Sequence, residues 1–118
     1  MTVAGSNSVT ADDLIFEASP VAPEQLARLL MGSETTSVFL RDGLRCVGGS
    51  LFAYQLIRSD AAGILREGPG LVGFSGGFGS AGTILPGSTW TFQMWFVDDG
   101  PCGNGTNLSN SMQVTFAP

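Results

Sequence analysis

Apolar and polar residues alternate most regularly between Ser88 and Val97. Trp90, Phe92, Met94 and Phe96 fall on one side, and Thr91, Gln93, Trp95 and Val97 on the other. A period of two is the mark of an extended strand, because successive side chains of a pleated strand point to opposite faces. Four large side chains on one face predict that this strand runs through the middle of a core. Asp98 to Asn110 reads as a turn-rich loop. After it, Met112, Val114 and Phe116 alternate with Gln113 and Thr115, which predicts a closing, half-buried strand. Val9 to Ala18 predicts an opening strand, with Leu14 and Phe16 on one face, Ile15 and Glu17 on the other, and Ser19-Pro20 as its stop. Thr36 to Leu40 and Leu44 to Val47 flank Arg41-Asp42-Gly43, and Asp-Gly between apolar runs is a hairpin signal. Gly48-Gly49 then predicts a break, Leu51 to Ile57 another strand, and Ile64 to Arg66 the start of one more.

Two stretches leave alternatives open. From Pro23 to Gly32, local rules fit a helix, with Pro23 in the first turn and Gly32 as a stop. The same residues fit a turn followed by a strand from Leu26 to Met31, and a short apolar run does not separate the two by periodicity. Gly68 to Gly82 interleaves glycines with Leu71, Val72, Phe74 and Phe78, so it is either a bulged edge strand or a long loop packing its aromatics inward. Roughly seven or eight short strands at this spacing point to an all-β fold. The expected architecture is an antiparallel β-sandwich, immunoglobulin-like, fibronectin-like or jelly-roll-like. At 118 residues the chain is expected to form one domain, residues 1–118, around one core.

Composition sharpens this picture. Charged residues make up 13% of the chain, about half of the usual ~25%, so solubility rests on Ser, Thr, Asn, Gln and Gly, which suits strands and turns better than helices. Ten acids against five arginines, with no lysine, give a net charge of −5. That field repels phosphate backbones, so no nucleic-acid partner is expected. No apolar run approaches the ~20 residues of a membrane-spanning helix. Cys46 and Cys102 both border glycine-rich turns, a placement that suits a disulfide in an oxidising compartment; two unlinked thiols are the alternative.

Three segments carry a resemblance. They are Gly43-Leu44-Arg45-Cys46-Val47-Gly48-Gly49, the run from Pro86 to Phe96 with its Thr89-Trp90-Thr91-Phe92-Gln93-Met94-Trp95, and Asn107-Leu108-Ser109-Asn110 with Val114-Thr115-Phe116. Together they resemble a C-terminal β-sandwich module of large secreted proteins of environmental bacteria, and the resemblance spans nearly the whole chain. It departs from the pattern at Phe96-Val97-Asp98, where the module has Tyr-Arg-Asp, and at Ala117, where some members end in cysteine. The second departure favours pairing of Cys46 with Cys102. The resemblance implies secretion, a strand at Leu26 to Met31 and an accessory role, and no established activity.

The absence of histidine removes Ser-His-Asp and Cys-His machinery and imidazole metal sites. Without Gly-Lys-Ser/Thr there is no phosphate loop. A pair of glycosidase carboxylates needs spacing that sequence does not report, and most acids here sit in turns, where capping explains them. Asp98, Asp99, Asn104 and Asn107 offer hard oxygen donors, so calcium is one reading of that loop and a self-satisfying Asx-rich turn the other; no other cofactor is expected. Trp95, flanked by Gln93 and Thr91, is either covered by a second layer or an exposed indole on which a sugar ring could stack; Tyr54 carries the same two readings. The expectation is a noncatalytic extracellular module for tethering or targeting, with a glycan or another cell-surface component as partner. The alternative is a subunit that self-associates into a surface layer or filament through open sheet edges.

Overall fold

The structure, a computed structural model of the chain, describes residues 1–40, 43–98 and 105–118. Among the described residues strand accounts for 55% and helix for 7%, and two antiparallel sheets of three and five strands pack together as an all-β sandwich. The small sheet has the order β1 (Thr2–Ala4), β2 (Ile15–Ala18), β6 (Leu65–Glu67). The large sheet runs β4 (Gly43–Ala53), β3 (Leu26–Leu40), β7 (Thr89–Asp98), β8 (Gly105–Thr115), with the short β5 (Ile57–Arg58) also pairing with β3.

The alternation at Ser88 to Val97 produces β7, an interior strand paired with β3 on one side and β8 on the other. Trp90, Phe92 and Met94 turn into the space between the sheets and meet Leu14, Phe16 and Ala18 from the N-terminal region, Leu29 and Met31 from β3, and Phe116. The Phe16 and Phe92 rings lie 4.7 Å apart between centroids, so the two sheets are joined ring against ring. Full burial of one such side chain stabilises by about 1.5–3 kcal/mol, which makes this face the main source of stability.

Leu26 to Met31 is strand, not helix: Ala27 to Gly32 pair in register with Phe96 to Thr91, and the main-chain ladder outweighs the local helix signals. The hairpin across Arg41-Asp42-Gly43 is present, with Leu40 opposite Gly43, although Arg41 and Asp42 themselves lie outside the described residues. Gly48-Gly49 does not break the chain. β4 runs through it, and its pairing with β3 shifts register twice, once with the extra residue in β4 beside these glycines, opposite Gly32 to Glu34, and once with it in β3 between Thr35 and Val38, irregularities of the kind that bend a strand.

Other boundaries also move. The opening strand is only Ile15–Ala18, because Val9 bonds to the Ala117 carbonyl and residues 9–11 form a turn; a further strand, Thr2–Ala4, precedes them. The expected strand at Leu51 to Ile57 ends at Ala53 and resumes as β5. The expected loop from Asp98 to Asn110 is in large part strand, since β8 starts at Gly105 and pairs with β7 down to Asp98. Gly68 to Gly82 is not a bulged strand; its aromatics pack inward as the loop alternative expected, but part of the segment is helical. It holds a short helix α1 (Leu71–Ser75) and a 3-10 turn, Gly76–Phe78, whose Phe78 packs on Phe52 and Tyr54.

Candidate functional site

The second face of β7, opposite the core, carries Thr91, Gln93, Trp95 and Val97. The bend in β3 brings the distal half of the β3–β4 hairpin back across this face, so that the edge of β4 rests against β7 and β8. A close approach is at Gly43, where an added Cβ would lie 2.8 Å from Asn107 Oδ1 and 2.9 Å from the Leu108 nitrogen. Only a residue without a side chain fits there.

Beneath this cover the side chains are polar. Thr91, nearly fully buried, shares a hydrogen bond of 3.1 Å with Thr35. Gln93 is 0% exposed and uses its whole carboxamide. Its Oε1 accepts from the Cys46 main-chain N–H (2.8 Å), and its Nε2 donates to the carbonyls of Leu44 (2.7 Å) and Ser109 (2.7 Å). The amide therefore behaves like the peptide group of an added strand, satisfying the outer edge of β4 and tying it to β8. Val47 is fully buried on this side and stands outside the main core cluster.

Of the three residues expected to form a ligand platform, the structure keeps one near the surface. Gln93 has no free donor or acceptor to offer. Tyr54 is 0% exposed: its hydroxyl donates to the Leu71 carbonyl (3.0 Å), and the Phe74 and Phe78 rings pack on it at 5.1 and 5.2 Å. Burial, with the Asp12 and Glu67 carboxylates nearby, holds the Tyr54 phenol well above its ordinary range, so it stays a neutral donor. Trp95 is half-buried, with Arg28 of β3 and Leu108 of β8 as its cross-strand neighbours. Arg28 is steadied by its Nε, which donates to the Tyr54 carbonyl (2.8 Å). The face at Trp95 is thus an indole whose cross-strand partner is Arg28, with its expected flanks Gln93 and Thr91 buried under the hairpin.

The calcium reading keeps half of its donors. Asp99 and Asn104 lie outside the described residues, as does Cys102, so the Cys46–Cys102 pairing falls there too. Asp98 ends β7, and the Asn107 Oδ1 accepts from the neighbouring Leu108 N–H (2.8 Å). Among the described residues no three acidic, cysteine or histidine side chains gather as a metal would require. Cys46 is half-buried in β4.

Sequence reasoning missed the outer surface of the hairpin. Phe39 is 88% exposed, and its neighbour Val38 and cross-strand partner Leu44 are 45% and 38% exposed. A signal was there: Val38-Phe39-Leu40 places apolar residues on both faces of a two-stranded projection, which has a layer to bury only one of them. Arg28, missed as a neighbour of Trp95, required the β3–β7 register. Among the described residues no helix is long and apolar enough to cross a membrane. Comparison with known proteins gives no match: no family model, curated protein or solved structure is similar to this chain.

Proposed function

We propose that the chain is a noncatalytic, extracellular β-sandwich module that tethers or targets a larger protein, meeting its partner on an open surface, with carbohydrate as the ligand class. The observation that carries this reading is Trp95: a partly exposed indole on an interior strand, with Arg28 as its cross-strand partner and Gln93, two residues before it on the same face, fixed by its own hydrogen bonds. A sugar ring stacks its C–H face on such an indole, while a guanidinium serves its hydroxyls. A disulfide between Cys46 and Cys102 belongs to the same extracellular reading. The test is a glycan array probed with the wild-type chain and with Trp95→Ala. Binding that the substitution abolishes is expected; absence of binding by the wild type, or equal binding by both, overturns the carbohydrate reading.

A second reading, self-association into a layer or filament, has its own support. β8 lies at the end of the large sheet and its eleven residues include none that is charged, whereas the edges of the small sheet are strands of three residues. Long uncharged edges are those that natural proteins usually blunt. Sedimentation across a concentration range tests it: a rising mass average supports assembly, and a constant monomer mass removes it.

A further inference from the structure

We propose that Glu67 is an acid-responsive clasp, so that the fold is tighter at mildly acidic pH than at neutral pH, where this carboxyl must carry a charge at a position nearly closed to water. This stands apart from the tethering reading. Glu67 ends β6 and is 5% exposed. In the β2–β6 ladder it sits opposite Phe16, so strand geometry turns its side chain inward with Leu65 while Arg66 turns out. The backbone just after it is tightly placed. Gly68 has φ +109, and its backbone lies so close on the Leu14 carbonyl that an added Cβ would collide with that oxygen. Gly70 then donates to the Asp12 carbonyl (3.1 Å), fixing the entry to α1.

The groups around Glu67 do not neutralise it. Gln55 Nε2 donates to its Oε1 across a long 3.4 Å. Asp12 faces Tyr54 as Glu67 does, and its carboxylate is bound to the N–H groups of Val72 (2.8 Å) and Gly73 (3.0 Å). The Tyr54 phenol is committed to the Leu71 carbonyl. Each arginine on an adjacent element is engaged elsewhere: Arg66 with Glu17 at 2.8 Å, Arg58 with the Glu24 carbonyl, Arg28 with the Tyr54 carbonyl. Burial accordingly pushes the Glu67 carboxyl above its ordinary value, with the Gln55 contact opposing in part.

Linkage sets the sign. A carboxyl that holds its proton more tightly when folded contributes stability that is fully present below its unfolded pKa and is lost as pH rises through the folded value. Asp13, held low by the Ser6 N–H and hydroxyl, acts the other way only at lower pH, below the ordinary carboxylate range. Stability is therefore expected to rise on moving from neutral to mildly acidic solution.

The experiment tracks thermal unfolding of the full chain from pH 7.5 to pH 5, for wild type and Glu67→Gln. The wild-type midpoint is expected to shift upward by a few degrees as pH falls, and Glu67→Gln to lose that shift and match or exceed wild type at pH 7.5. A wild-type midpoint that is flat or falls, or a slope that survives in Glu67→Gln, overturns the proposal. Carbon-13 titration of the wild-type Glu67 carboxyl gives the answer without a variant. A midpoint above the ordinary glutamate range supports the clasp, and one within or below that range overturns it.

Discussion

The two faces of β7 are sealed by opposite means. On one, Trp90, Phe92 and Met94 pack against aromatic and aliphatic side chains; on the other, Thr91 and Gln93 are as deeply buried but meet hydroxyls and main-chain groups. Apolar packing is non-directional, so the first face tolerates small shifts of one sheet over the other. The second depends on donor and acceptor positions within a few tenths of an ångström, because an unmatched buried polar group costs about 1–3 kcal/mol. One face supplies most of the stability, and the other fixes where the hairpin lies.

That contrast breaks most sharply on its apolar side. Phe92→Ala removes a fully buried ring in contact with Phe16 and Phe116, and the expected loss is about 3–5 kcal/mol by urea denaturation. A loss below about 1 kcal/mol would show that the sheets close over the gap and that this face does not dominate.

On the polar side, Gln93→Ala strips partners from Cys46 N–H and from the Leu44 and Ser109 carbonyls at once. The expected cost is about 2–3 kcal/mol, with faster amide exchange at Cys46 than in Phe92→Ala once each is referred to its own global stability. Gln93→Glu separates geometry from polarity. It keeps the acceptor for Cys46 and loses both donors, so it should destabilise at least as much as alanine at neutral pH, because a buried carboxylate then faces two carbonyl oxygens.

The sequence announced the first face and not the second, for a physical reason. Burial between two sheets imposes a period of two on side-chain polarity, and Trp90 to Phe96 display it openly. The same period reports Thr91 and Gln93 only as polar, and polar residues on a strand usually face water. That they lie under the β3–β4 hairpin follows from bulges at Gly32–Glu34 and Thr35–Val38, where Gly48-Gly49 reads locally as a break. The helix in Gly68 to Gly82 was illegible for a similar reason. Its glycines disfavour helix, and what holds it is tertiary: Asp12, sixty residues upstream of Val72, binds its first N–H groups. Of the candidate site, Trp95 was legible as an aromatic out of phase with the core, whereas Arg28 became its neighbour only through the register of β3.

A smaller effect sharpens the comparison at Trp95. Since the indole is not fully buried, Trp95→Ala is expected to cost about 1–2 kcal/mol, less than either buried position. Its stability loss should also leave amide exchange at Cys46 close to wild type, because the carboxamide beneath is not touched. Accelerated exchange there would show that the indole holds the hairpin down, and Trp95 would then belong to the sealing of this face rather than to a surface that meets a partner.

The smallest expected effect lies furthest from both faces. Phe39 rests on neither seal: at 88% exposed it has little packing to lose, so Phe39→Ser should change unfolding stability by no more than about 0.5 kcal/mol. Its consequence should appear instead in association. If the apolar surface of Val38, Phe39 and Leu44 draws copies together, the variant remains monomeric at concentrations where the wild type's mass average rises, with identical denaturation curves. A large stability loss at Phe39 would mean that the hairpin's outer surface is covered in solution by part of the chain, and the division of β7 into an apolar and a polar seal would have to include a third contact.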